Sequence, residues 1–175
     1  HRIEGDSNRP MFITSYNSSG IKFGSSGSTK ASITSNGLLF NNDTAAANAL
    51  NDYEEGTWTP NVASNGSGSY SSQSGVYTKI GDIVHLSFLV TVSNVGYGVS
   101  YFRLGGVPFT CNHWTCGSFM SSHHTMNNNR WYSLYLEAND TTILAYGSEA
   151  NAAWEVLAAD ASFSMVGQLT YRTNS

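Results

Sequence analysis

Hydrophobic and polar positions alternate most cleanly over residues 83–92. There Val84, Leu86, Phe88, Val90 and Val92 share one parity, and Ile83, His85, Ser87, Leu89 and Thr91 share the other. A period of two is the strand period, so this run predicts a strand with one face in a core and a mixed outer face. Residues 76–80 precede it across Gly81-Asp82, which makes the pair a predicted hairpin. A second hairpin is written in 131–146, where WYSLYLEA and TTILAY flank Asn139-Asp140. A last strand over 162–172 sets Phe163, Met165, Leu169 and Tyr171 on one face with Gly167 between them, and shorter strands are expected at 101–104 and 119–122. The Gly/Ser-rich stretch 64–74 reads as a loop or an edge. Residues 148–160 carry helix-favouring Ala, Glu and Leu between two strand signals, and they read as an irregular strand or loop.

The N-terminal part follows another pattern. Short apolar groups, Phe12-Ile13, Ile21 with Phe23, Ala31 with Ile33, and Leu38-Leu39-Phe40, are separated by small polar residues. Each group is too short to bury a core of its own, so the region packs on a neighbouring domain, stays disordered, or intertwines with other copies of the chain around a shared axis; the recurring spaced apolar pairs favour the last over disorder. Asp43 followed by alanines predicts a helix of about two turns over 43–50. An acidic turn, an aromatic strand start and a proline then make 49–60 a joint. The expected organisation is a fibrous stalk of intertwined short strands at 1–48, a collar at 49–60 and a β-sandwich head, jelly-roll-like, at 61–175.

Composition agrees with an all-β chain: 175 residues with 11% charged, 13% aromatic and 17 Gly. The net charge is −4, and eight Lys and Arg are scattered along the chain, so no basic patch exists for a phosphate backbone and nucleic acid is not an expected partner. The apolar runs are far shorter than the roughly 20 residues that span a bilayer, so membrane insertion is not expected either. The chain starts at His1 with no leader pattern and reads as a piece of something longer.

The run ANALNDYEEGTWTP, ending at Pro60, resembles a signature of tail-fibre and structural proteins of tailed bacteriophages, A-N-x-L-D-D-Y-E-E-G-T-W-T-P, with Asn51 in place of its first Asp. Tyr77-Thr78-Lys79-Ile80-Gly81 is similar to the same family's Y-T-K-I-G, Gly106-Val107-Pro108-Phe109 to its G-L-P-F, and the stretch from Gly167 to Thr173 to its closing G-x-Y-R-T, with extra residues. The resemblance implies a homotrimeric fibre tip in the virion, joined to the rest of the fibre before residue 1. It also implies attachment to a host cell-surface glycan or outer-membrane protein. Glycan-cleaving tailspike tips and bacterial carbohydrate-binding surface modules are the alternatives.

The candidate chemistry points to binding. Cys111, His113 and Cys116, followed by His123 and His124, give half of a zinc pattern that needs four ligands, so no metal or other cofactor is expected. The two cysteines are open to a bond, to free thiols or to a metal. No G-x-S-x-G elbow is present, and Glu54, Glu55, Glu137, Asp140, Glu149, Glu155 and Asp160 read as turn and loop acids, so no catalytic residue is nominated. Sugar rings stack on exposed aromatics while polar side chains bond their hydroxyls. The richest such set is His113, Trp114, His123, His124, Asn127, Asn128, Asn129, Arg130 and Trp131, which makes it the candidate receptor site. Against it, Trp114, Trp131 and Trp154 could each serve a core or a trimer interface. Trp58, in the joint, is expected to anchor packing.

Overall fold

The computed structural model describes residues 20–50, 52–63, 68–95, 101–123, 126 and 129–174. It is all-β apart from one 3-10 turn, and it divides into two compact units, His1–Asp52 and Tyr53–Ser175.

The described part of the N-terminal unit is an antiparallel meander of β1 (Ile21–Ser25), β2 (Ser28–Thr34) and β3 (Gly37–Phe40). Its strands pair within the chain, and their register sets two rows across one face: Ile21–Ile33–Leu38 and Phe23–Ala31–Phe40. Both rows are apolar, yet Phe23, Ile33 and Phe40 are about half exposed. The opposite face buries Ser32 and Leu39. The helix expected over 43–50 does not form; a single 3-10 turn, Ala46–Asn48, stands in its place. A two-turn helix is below the length that overcomes the cost of nucleation. Asp43 instead accepts bonds from the Ala45 N–H (2.9 Å) and from Asn48 Nδ2 (2.6 Å), which hold its carboxyl below the usual carboxylate range. Phe12-Ile13 lies outside the described residues.

The C-terminal unit is one ten-stranded sheet. Its strands are β4 (Tyr53–Trp58), β5 (Asn61–Val62), β6 (Ser69–Ile80), β7 (Ile83–Asn94), β8 (Arg103–Gly105), β9 (Thr115–Ser122), β10 (Trp131–Leu136), β11 (Ile143–Ser148), β12 (Glu155–Val156) and β13 (Phe163–Arg172). Across the sheet the order is β4-β6-β7-β13-β9-β10-β11-β8-β5, with β12 paired to β11. The first and last strands of that path, β4 and β5, are consecutive in the chain. Trp58 and Asn61 are three residues apart and so within about 10 Å, which forces the sheet to curl until its two edges meet. Side chains of β6 cross the gap: the Tyr70 hydroxyl takes the Val62 N–H at 2.7 Å, and Gln73 Nε2 donates to the Pro60 carbonyl at 2.8 Å.

The concave side holds the core. Val84, Leu86, Phe88, Val90 and Val92 are all buried, as their parity predicts, against Phe163, Met165, Leu169 and Tyr171 of β13 and Leu134 and Leu136 of β10. Both predicted hairpins form, with Ile80 paired to Ile83 and Leu136 to Ile143. Residues 69–74, read from sequence as loop or edge, are strand. They pair with β7, and Tyr70 and Gln73 seal the closure although the segment has no hydrophobic alternation. Residues 64–67 lie outside the described residues. The irregular reading of 148–160 holds, with β12 as a two-residue strand and Ala158 bridging Tyr101.

One interior row explains several glycines. In register across five strands stand Trp58, Gly75, Phe88, Gly167 and Phe119, alternately ring and glycine. Each glycine leaves the space that a neighbouring ring fills. A Cβ on Gly75 would lie 2.4 Å from Trp58 Nε1, and one on Gly167 would lie 2.6 Å from Phe88 Cζ. The Trp58 and Phe88 rings meet edge to face at 5.8 Å. Trp58 is therefore a packing anchor of this unit.

Tyr171 gives a pH prediction. Its hydroxyl donates to the Phe109 carbonyl at 3.0 Å, and burial pushes its pKa well above the ordinary tyrosine value. The folded state then keeps a proton that the unfolded chain releases near pH 10, so this contribution is complete below about pH 10 and is lost as pH rises beyond it. Melting temperature is expected to fall as pH rises above about 10. Tyr171→Phe should flatten that fall while costing about 1 kcal/mol at neutral pH; an unchanged alkaline slope would refute the assignment.

Candidate functional site

The outer face of β9, β10 and β11 carries an aromatic trough. Strand parity builds it: Leu134 and Leu136 point into the core, so Trp131, Ser133 and Tyr135 point out. Register then places Trp131 opposite Ser148, Ser133 opposite Tyr146, and Cys116 opposite Tyr135. Tyr135 and Tyr146 are diagonal neighbours whose rings meet edge to face at 5.3 Å. Trp154 packs over both, at 6.0 Å from Tyr135 and 6.5 Å from Tyr146. With Trp114 at the far wall, these residues enclose a cleft of about 540 Å³.

Trp114, Trp131 and Trp154 are 68%, 73% and 66% exposed, so none of the three belongs to the core of this chain. Three open indoles around one cleft present flat apolar faces, and Ser133 and Ser148 between them supply hydroxyls. Burial, followed by the nearby charge of Glu137 and the Tyr146 phenol, pushes the Tyr135 hydroxyl up, so it stays a neutral donor. No Asp or Glu lines the trough among the described residues.

Arg130 was expected to face a ligand, and the structure gives it another role. Its side chain is only 13% exposed; Nη1 is ion-paired with Glu155, and Nε lies 3.7 Å from Glu149. Those two acids bracket the segment that carries Trp154, so Arg130 ties the two ends of that segment to the base of β10. Met126, in the same loop, packs against the core.

The remaining sequence candidates divide. Trp131 and Trp114 line the trough. His113 is exposed and lines a second cleft, of about 420 Å³, which shares Trp114 and Thr115 with the first. His123 is exposed at the end of β9 with φ 64°, and Asn129 sits in a turn before β10. Neither lines a described cleft. His124, Asn127 and Asn128 lie outside the described residues. Ser133, Tyr135 and Tyr146 are not among the sequence candidates, and Trp154 is read there only as a core or trimer-interface residue; the outward parity of 131, 133 and 135 is the one sequence signal for Ser133 and Tyr135.

Among the described residues, the half zinc pattern does not assemble around one point. Cys111 is buried and its thiol donates to the His113 carbonyl, while Cys116 is exposed on the trough side; both are free. Burial pushes the Cys111 thiol up, against reactivity. The acids of the joint hold phenols: Tyr77 donates to Glu54, and Tyr53 donates to Glu55 at 2.8 Å.

No family model matches the chain, and no curated protein matches it. Among solved structures, the Dettilon tailspike protein (gp208) is similar to it in fold, with a TM-score of 0.53 and 17% sequence identity. The match covers 73% of this chain and 25% of that one, so the chain spans about a quarter of the length of the tailspike protein.

Proposed function

We propose that this chain is the distal, receptor-binding part of a phage tail fibre or tailspike. In the virion it attaches, as a homotrimer, to a glycan of the host cell surface and does not cleave it. The observation that carries this is the trough of three open tryptophans, Trp131 on β10 and Trp114 and Trp154 beside the sheet. Such a surface fits the apolar faces of pyranose rings, with serine hydroxyls and tyrosine phenols for their polar edges. The fold likeness to a tailspike protein and the resemblance of the 49–60 run to a phage fibre signature support the setting. The curled sheet, with edges meeting at Pro60, fits a jelly-roll-like sandwich head. The test is an array of bacterial surface polysaccharides probed with the whole chain. Retention on a defined set, with no reducing ends released, is expected; release of reducing ends would replace attachment by cleavage.

The trimer is supported by the N-terminal meander. Its two apolar rows leave Phe23, Ile33 and Phe40 half exposed on one face, and Leu50, which bridges Leu38, is 41% exposed. Three copies of this face around an axis would bury what one chain leaves open. Light scattering should give a mass of about three chains. Phe23→Ser with Phe40→Ser should shift it to monomer, since each half-exposed ring contributes on the order of 1 kcal/mol per copy. A monomeric wild-type chain would end the trimer reading.

A further inference from the structure

We infer that the trough continues past Trp114 into an anion-recognising subsite, and that the glycan it takes carries a carboxylate, as a uronic acid does. This rests on the glycan-attachment reading above and adds the chemical class of the ligand. The second cleft opens on the other side of Trp114 and Thr115, and Ile83, His113, Thr170 and Arg172 complete its wall. A sugar stacked on Trp114 therefore has the aromatic trough on one side and a polar, nitrogen-rich wall on the other.

Charge singles out that wall. The C-terminal unit has four Lys or Arg residues. Lys79 is buried, its amine 5.8 Å from the centre of the Phe109 ring. Arg103 is partly buried with its Nε enclosed, and Arg130 is held by Glu149 and Glu155. Arg172, with its side chain 58% exposed, is the most open of them. Asp82 engages its Nη1 and so fixes the guanidinium. That group has five N–H donors in a planar fork that matches a carboxylate. The exposed His113 imidazole stands on the same wall, and His85 Nδ1 lies 3.0 Å from Thr170 Oγ1. No Asp or Glu lines either cleft among the described residues. In a chain of net charge −4, an acidic ligand gains little from the overall field, so this local donor set decides where its carboxylate rests.

The experiment prints each bacterial polysaccharide in native and carboxyl-reduced form and probes the array with the full chain, Trp131→Ala, Arg172→Gln and Arg172→Lys. Glycans retained in a Trp131-dependent way are expected to contain a uronic acid. Carboxyl reduction and Arg172→Gln should each weaken retention about tenfold or more, and Arg172→Lys should restore part of it. The exposed Asp82 pair is worth little to the fold, so the melting temperature of Arg172→Gln should match wild type. Trp131-dependent retention of neutral glycans, of glycans acidic through phosphate alone, or of carboxyl-reduced spots as strongly as of their native forms would overturn the inference and leave attachment standing. An array with no retained glycan would take down the attachment reading itself.

Discussion

Replacing Trp58 by Ala is expected to destabilise the C-terminal unit by about 3–5 kcal/mol, the usual cost of removing a buried large aromatic ring. The melting temperature should fall by on the order of 10–20 °C. The ring is 7% exposed at the edge where the curled sheet closes, and it fills the space over Gly75 against Phe88. The same geometry predicts a coupling. Gly75→Ala in the wild-type chain pushes a methyl group into the indole and should cost about 1–3 kcal/mol. In the Trp58→Ala background that clash is gone, and the alanine should be neutral or stabilising, because glycine weakens a strand interior. Thermal melts of the four chains close the cycle. Equal costs of Gly75→Ala in both backgrounds would show that the ring–glycine row does not act as described.

That row also marks how far the sequence could be read. The run from Val84 to Val92 announced its strand because one face is buried and the other is not, and period two survives in the letters. Phe163, Met165 and Leu169 did the same for β13. Trp58 reads from sequence as an anchor because it stands beside the stalk, where it would lock neighbouring chains; the structure packs it on Phe88 and Gly75 of its own chain, and that partner was not legible, since Gly75 is a gap filled from a strand seventeen residues away and a gap leaves no hydrophobic signal. Residues 69–74 were legible as an edge, which they are, pairing with β7 while β4 covers residues 75–80; that they form a strand was hidden for a related reason. Their ladder is held by backbone bonds, with Tyr70 and Gln73 reaching across to β5, and serines on both parities hide the period. The expected helix at 43–50 rested on alanine propensity alone, and local bonds from Asp43 prevailed over it. Arg130 reads from sequence as a ligand contact, but its side chain is taken up by Glu149 and Glu155, which sequence distance concealed.

The trough itself was half legible, and its remaining half carries the second large prediction. Trp114 and Trp131 stood out as polar-flanked aromatics, whereas Trp154 lies in the irregular 148–160 segment and joins them only through the β10–β11 register and the Arg130 clamp. If the three indoles form one surface, losing two should be far worse for binding than for folding. Trp131→Ala with Trp154→Ala removes rings that are 73% and 66% exposed, so stability should change little beyond the edge contacts of Trp154 with Tyr135 and Tyr146. Aromatic anchors at the centre of a binding surface cost about 2 kcal/mol or more each when truncated, so the pair should weaken glycan binding more than a hundredfold. Arg130→Ala tests the clamp separately. It leaves every trough ring in place but frees the Trp154 segment, so binding should weaken less than in the double variant, with the Trp154 fluorescence shifting toward that of a solvated indole. A double variant that binds as the wild type does would move the receptor site off the trough. A clamp variant with unchanged binding and unchanged emission would show that the ring is held by Tyr135 and Tyr146 alone.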